Sequence, residues 1–197
     1  MSLSTSFMDR IGELYRSFIQ HDAGQPDRIK RYRNIEPDSA YYIAMMIRIQ
    51  QSKHILEIGT STGYSTLWMA DAAHVTGGKI TTLEIDPSRT AQAQRYAQEL
   101  ELDQCIQFWC GDARDFLHQE QQLYDLILLD AERDAYVDYW PDLQRLLHPH
   151  GGVLIVDNVI SHAAEVKSFI TEVKQDSRFM CNTIAFGAGL FIVTYKS

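Results

Sequence analysis

Cysteine is scarce in this 197-residue chain, long apolar runs are missing, and positive charge is outnumbered, with 18 Lys and Arg against 26 Asp and Glu. Each shortage excludes something. The three cysteines, Cys105, Cys110 and Cys181, stand apart with no C-x-x-C pair, which argues against a zinc site. An odd count without a secretion signal fits a reducing cytosol, and all three are read as packing residues. No apolar stretch approaches the roughly 20 residues that span a bilayer. Asp9 and Arg10 occupy the region where a signal peptide needs its apolar core. A cytoplasmic location without membrane contact is therefore expected. A formal charge of −8 disfavours a nucleic-acid partner, which would call for a basic footprint. Repeats, low-complexity tracts and linkers are absent too, so one domain over 1–197 is expected.

What is present begins with His54-Ile55-Leu56-Glu57-Ile58-Gly59-Thr60-Ser61-Thr62-Gly63-Tyr64-Ser65. This reads as a buried strand, a glycine turn and a helix start. Glycine permits close backbone approach to a ligand, and a helix N-terminus offers N–H groups to anions. A dinucleotide fold would carry G-x-G-x-x-G; this chain has E-x-G-x-x-x-G. A second apolar strand, Lys79 to Ile85, carries Glu84 at its end, about 20 residues after Gly63. That spacing suits an acid accepting hydrogen bonds from a ribose. The alternatives are an ordinary strand–turn–helix, and a carboxylate serving the helix that opens at Pro87.

Leu3, Phe7, Ile11, Leu14 and Phe18 recur at helical spacing. They predict an amphipathic helix whose stripe packs on the chain's own core or on a second subunit, and the second option motivates an expected homodimer. Asp22 to Arg33, with Arg28, Lys30 and Arg31, reads as a solvated loop or as a lid. Pro37 opens a helix to about Gln51 and completes an N-terminal helical segment over about 1–51. Strands are then expected near 54–58, 79–85, 104–110, 124–130 and 152–157. Helices are expected near 64–73, 87–100, 112–118, 134–147 and 162–176, with Pro141 starting the second half of the fifth or kinking it. The runs Leu126 to Leu129 and Val153 to Val156 look buried on both faces. Phe179 to Ala185 and Leu190 to Tyr195, joined through Gly187 and Gly189, suggest a closing hairpin. The sum is an α/β fold with a doubly wound, mostly parallel seven-stranded sheet and one antiparallel strand.

Ligands in such sheets bind beyond the carboxyl ends of the strands. The five parallel strands deliver Glu57, Glu84, Asp112, Asp130 and the pair Asp157-Asn158 to that rim. Any one acid has a bland role as a helix cap. Asp130, Asp157 and Asn158 are all hard oxygen donors, and suit Mg²⁺ or another oxygen-preferring ion such as Mn²⁺ or Ca²⁺. The plain alternative is that Asp157-Asn158 only shapes a strand-to-helix turn.

These motifs together resemble the catechol O-methyltransferase and caffeoyl-coenzyme A O-methyltransferase family of class I S-adenosylmethionine-dependent enzymes. The resemblance runs from about Ile35 to Tyr195 and is carried by Leu56 to Ser65, Leu83 to Asp86, Gly111-Asp112-Ala113, Leu129-Asp130-Ala131 and Val156 to Val159. It implies a Rossmann-like methyltransferase fold with S-adenosylmethionine as cofactor. It also implies that Glu57, Gly59, Thr60, Gly63 and Ser65, with the backbone near Ile35, cradle the cofactor's amino acid end. Glu84 would hold the ribose, Asp112 and Ala113 would meet the adenine, and Asp130, Asp157 and Asn158 would bind the metal. Asp130 would also border the cofactor. The acceptor would be a small hydroxylated molecule such as a vicinal diol.

One residue departs from the family. A lysine usually stands three places after the first metal aspartate as general base, and this chain has Arg133. Arginine stays protonated and cannot take the proton. Asp130 with its metal, Arg133 as a fixed cation, and His162 beside Asp157-Asn158 are the catalytic candidates. A metal-independent methyltransferase and a non-catalytic cofactor-binding protein remain alternatives. Tyr136, Tyr139, Trp140 and the Arg28–Arg33 stretch are candidates for the acceptor pocket, and the sequence does not rank them.

Overall fold

The computed structural model describes residues 5–196, so Leu3 of the N-terminal stripe lies outside the described residues. The helices are α1 (Thr5–Ala23), α2 (Pro37–Gln50), α3 (Tyr64–Thr76), α4 (Pro87–Glu99), α5 (Ala113–Gln119), α6 (Tyr136–Leu146) and α7 (Ala163–Gln175). The strands are β1 (His54–Ile58), β2 (Lys79–Glu84), β3 (Ile106–Cys110), β4 (Leu126–Leu129), β5 (Val153–Val156), β6 (Phe179–Ile184) and β7 (Leu190–Tyr195). Their order in the sheet is β3-β2-β1-β4-β5-β7-β6. Strands β1 to β5 pair in parallel, and β7 runs antiparallel to both of its neighbours. The expected sheet, its single antiparallel strand and the closing hairpin are all present.

Local chemistry sets the boundaries. Pro37 and Pro87 occupy the first turns of α2 and α4, and the Asp86 carboxylate caps α4 by accepting from Ser88 N at 2.7 Å. Gly77 closes α3 in the left-handed conformation. Helix α6 starts later than expected, because a 3₁₀ turn occupies Arg133–Ala135, and it runs through Pro141 rather than starting there.

Side chains alternate across the sheet. Ile55, Leu126 and Leu128 pack with α1, α2 and α3, while Leu56, Ile58, Ile127 and Leu129 pack with α6 and α7. Two cores, one per face, explain why β4 and β5 read as unbroken apolar runs.

Phe7, Ile11, Leu14 and Phe18 are all buried within the first of these cores. The stripe on α1 is consumed inside the chain, and the expected homodimer loses the surface that motivated it. Tyr136 and Trp140 are packing residues of the other core, and Tyr139, also in that core, lines a surface hollow between α5 and α6 rather than the strand-end rim. Cys105 is buried and Cys181 half-buried, as packing residues should be, but Cys110 is exposed and does not pack.

Candidate functional site

Strand order reverses between β1, from which the chain winds outward to β2 and β3, and β4, from which it winds the other way. A crevice opens at such a switch point. Gly59 follows β1 and Asp130 follows β4, and the two backbones nearly touch. A Cβ on Gly59 would sit 2.0 Å from the Asp130 carbonyl oxygen, and φ there is +106°. Gly63 has φ +88°, and its Cβ would press on Ala93 of α4. Both turn positions demand glycine.

The amides of this turn are largely spent on the protein. Gly59 N and Thr60 N donate to the Leu83 carbonyl, Gly63 N to the Thr60 carbonyl, and Ser61 N to Glu84 Oε2 at 2.8 Å. The expected supply of N–H groups for an anion is therefore smaller than the glycine pattern suggested. What the turn offers is close approach and the carboxylate of Glu84, which also accepts from Asp86 N at 3.0 Å.

Glu57 lies where the strand alternation calls for an apolar side chain, on the face of Ile55 that packs with α3. It is fully buried. Its carboxylate accepts from the hydroxyls of Ser65, Thr66 and Thr82, the last two at 2.5 and 2.6 Å. Thr82 is its direct partner in the parallel register of β1 and β2, and is tied in turn to Thr60 Oγ1. Burial pushes the Glu57 carboxyl up to about 7, although the three hydroxyls pull the other way. Thr66 and Thr82 were missed by sequence reasoning; the parallel pairing of two acid-ended strands would have pointed to Thr82.

Asp130 and Asp157 end β4 and β5, which are hydrogen-bonded neighbours. Asn158 has φ +66°, a conformation asparagine tolerates better than most residues. Its amide nitrogen donates to Asp130 Oδ1 at 3.1 Å and Asp157 Oδ2 at 2.9 Å. Asp157 Oδ1 is buried with no hydrogen-bond partner. Burial raises both carboxyls above their ordinary range, and each is raised or lowered further by its charged neighbours: Asp130 raises Asp157, and Arg133 lowers both. The set of Asp130, Asp157 and Asn158 is thus drawn together with one oxygen lacking a donor. An amide flip would exchange the Asn158 nitrogen for its oxygen.

Around this pair lies a ring of charge. Arg133 is buried, and its Nε donates to Glu165 Oε2 at 2.9 Å. Arg28 Nη2 lies 3.7 Å from the same carboxylate. Arg33 pairs with Glu132, and its Nε is buried without a partner. The basic stretch expected to be a loop or lid is thus held over the rim. Arg89 of α4 donates to the carbonyls of Ile29 and Arg31, Ser61 Oγ to that of Tyr32, and Asn34 Nδ2 to Thr62 Oγ1. Ile35 is buried within the α1–α3 core. His162 precedes α7 with Nδ1 2.8 Å from Ser161 Oγ. Burial first, then Arg133, Arg28 and Arg33, lower its pKa, with Glu165 opposing.

Asp112 caps α5 by accepting from Arg114 N at 3.0 Å, and Ala113 follows, packed against the second core. Glu57, Gly59, Thr60, Gly63, Ser65 and Glu84 form one connected group, and Asp130, Asp157, Asn158, Arg133 and His162 a second. The Gly59–Asp130 contact joins the two. Glu132 and Glu165 were missed in sequence, because no local pattern ties them to the rim, whereas Arg33 lies in the Arg28–Arg33 stretch that was a candidate for the acceptor pocket.

Comparison with known proteins bears on the family and the fold. A family profile described as O-methyltransferase matches residues 20–196. A catechol O-methyltransferase of Niastella koreensis is 35% identical over 131 residues, covering 64% of this chain and 58% of that protein. A catechol O-methyltransferase of Bos taurus is 32% identical over 146 residues, covering 70% of this chain and 52% of that protein. The chain thus spans little more than half the length of these relatives. The O-methyltransferase TomG from Streptomyces achromogenes, solved with S-adenosylmethionine, has TM-score 0.80 at 22% identity and covers 100% of this chain and 92% of its own. An O-methyltransferase from Bacillus cereus, solved with S-adenosylhomocysteine, has TM-score 0.79 at 22% identity, with 100% and 93% covered. These solved structures share the fold.

Proposed function

The chain belongs to the O-methyltransferase family, and from that premise we propose that it transfers the methyl group of S-adenosylmethionine to one hydroxyl of a small vicinal diol, assisted by a divalent cation. The observation that carries the cation is the buried, partnerless Oδ1 of Asp157 beside Asp130 and Asn158. Buried polar atoms without partners are rare, and two hard carboxylates with an amide fit Mg²⁺ or Mn²⁺.

Chain residues divide the work. Gly59 and Gly63 let the backbone approach the cofactor, with Thr60, Ser65 and the backbone at Ile35 near its amino acid end. Glu57 organises that wall through Ser65. Glu84 takes the ribose hydroxyls, with Asp112 and Ala113 beside the adenine. S-adenosylmethionine, when bound, would supply an activated methyl on a sulfonium for displacement by the acceptor oxygen. A cation held by Asp130, Asp157 and Asn158 would supply charge that lowers the pKa of that hydroxyl. Holding that oxygen in line with the methyl contributes much of the rate.

Arg133 is not the base. It keeps its proton and offers fixed positive charge instead. The hydroxyl proton leaves to solvent, with His162, whose pKa is lowered by burial and by nearby arginines, as the competing acceptor.

The test is calorimetric and chemical. S-adenosylhomocysteine is expected to bind with micromolar affinity, about −8 kcal/mol. Methyl transfer to catechol is expected to stop in chelator and return with Mg²⁺ or Mn²⁺, and Mg²⁺ is expected to bind wild type but not Asp157→Ala. A second reading, methyl transfer without metal, is favoured by the Asn158 amide, which already bridges both carboxylates. Full activity in excess chelator would select it. Cofactor binding without transfer to any acceptor would mark a non-catalytic binding protein.

A further inference from the structure

Three guanidinium groups, two from the stretch after α1 and one after β4, converge on the rim, where among the described residues two side-chain carboxylates pair with them. Arg133 and Arg28 share Glu165, and Arg33 takes Glu132. Arg133 is the unusual member. Its side chain is 6% exposed, and among the described residues only its Nε has a hydrogen-bond acceptor. Buried arginine is rare unless paired, and here the two terminal nitrogens are not sealed from solvent and stay open to a ligand. Its partner Glu165 is itself 45% exposed and shared, so Arg133 is incompletely answered. Arg33 adds a second open donor, its buried Nε.

The sign of the local field agrees. Arg133, Arg28 and Arg33 all disfavour a proton on His162. Arg133 and Arg33 both act on Asp130 as well, so the cluster lies within charge range of the proposed reaction centre. With a divalent cation between Asp130 and Asp157, the inner charges cancel. Three arginines of the outer ring then face Glu132 and Glu165, with Glu36 also within charge range of Asp157.

We propose that Arg133, Arg33 and Arg28 form an anion subsite that takes the carboxylate of the methyl acceptor, so that the preferred substrate is an ortho-dihydroxy aromatic acid rather than a neutral diol. A planar guanidinium edge matches a carboxylate by paired hydrogen bonds. The subsite rests on the diol methyltransferase reading above and narrows its acceptor.

The experiment compares 3,4-dihydroxybenzoate with catechol, which share the reacting hydroxyls and differ in the carboxylate. Binding to the complex of enzyme, S-adenosylhomocysteine and Mg²⁺ is measured by calorimetry, and kcat/KM for both acceptors is measured with S-adenosylmethionine. Wild type is expected to bind the acid at least tenfold more tightly than catechol, and raising salt is expected to shrink that ratio. Arg133→Lys and Arg133→Gln are expected to lower the acid-to-catechol ratio in both Kd and kcat/KM by tenfold or more. Arg28→Gln, at a half-exposed side chain that carries little folding risk, is expected to lower it two- to fivefold. Equal affinity of wild type for the two molecules, or a ratio unmoved in Arg28→Gln and in every folded Arg133 variant, overturns the subsite. Preferential binding of the acid without methylation of either molecule supports the subsite while refuting the diol methyltransferase reading. Methylation of catechol with no preference for the acid does the reverse.

Discussion

Glu57→Gln isolates one buried carboxyl. The wild-type group is wholly buried, and its folded-state pKa is pushed from 4.5 to about 7. Between those values the native state holds a proton that the unfolded chain has released. Stability therefore falls as pH rises through that window, by up to about 1.4 kcal/mol per pH unit and about 3 kcal/mol in all. The favourable contribution is complete below pH 4.5 and lost once pH passes about 7. Glutamine is neutral throughout and has no such slope. It also carries a fixed cost: Thr66 and Thr82 both donate to Oε2 and Ser65 to Oε1, so the NH₂ settles at Oε1 and forces the Ser65 hydroxyl to turn. That misfit is worth about 1–3 kcal/mol and does not depend on pH. Urea unfolding of both proteins from pH 5 to 8, extrapolated to water, measures the difference. The variant is expected to gain on wild type by about 2.5 kcal/mol across the range, whatever its offset at pH 5. Parallel curves would mean that Glu57 ionises normally, and that three hydroxyls solvate it as well as water does.

Other perturbations address separate parts of the structure. Glu84→Ala is expected to weaken S-adenosylhomocysteine binding by roughly 1.5–3 kcal/mol in calorimetry, the usual loss of a charge-assisted hydrogen bond, and unchanged affinity would remove Glu84 from the cofactor site. Gly59→Ala is expected to destabilise severely, by about 3 kcal/mol or more, because its Cβ would overlap the Asp130 carbonyl at a positive φ; a melting temperature within a degree of wild type would contradict that. Ile11→Ala is expected to cost about 2–5 kcal/mol as a core cavity. Light scattering on the same variant should show the oligomeric state of wild type, since α1 packs inward; a shift in mass would return the stripe to an interface role. His162→Gln is expected to leave the basic limb of the pH–rate profile in place, whereas loss of that limb would make His162 the base.

Elements were legible wherever one local period sufficed. The apolar runs of β4 and β5 announced strands covered on both faces, and the four-and-three spacing on α1 announced a buried stripe. Its destination was not legible, because the same stripe fits a core or a partner equally well. Only the packing of Phe7 against Trp68 and of Phe18 against Tyr32 and Tyr96 decides between them. Tyr136, Tyr139 and Trp140 posed the same problem in reverse. Bulky aromatics near a rim suit a pocket wall or a core, and the helical turn that carries them faces Phe169 and the sheet.

The rim shows the same division between local and tertiary information. Glu57, Glu84, Asp130 and Asp157 could be placed because each ends a strand, and strand ends share one edge of a parallel sheet. What those acids touch required register and crossover. Thr82 reaches Glu57 because β1 and β2 pair with those two residues opposite. Arg33 and Arg28 reach the rim because the chain after α1 is bent back by Asp22, which accepts from Tyr32 N and Arg33 N, and is held down by Arg89 from α4. Substituting Arg for the family's Lys was visible at position 133, but its consequence was not. A lone arginine after a metal aspartate reads as a lost base. The same arginine, buried against a shared glutamate beside two others, reads as a charge retained for a ligand. Its Nε is answered by Glu165, while its terminal nitrogens have no acceptor among the described residues and stay open to solvent, which leaves them available to an anion.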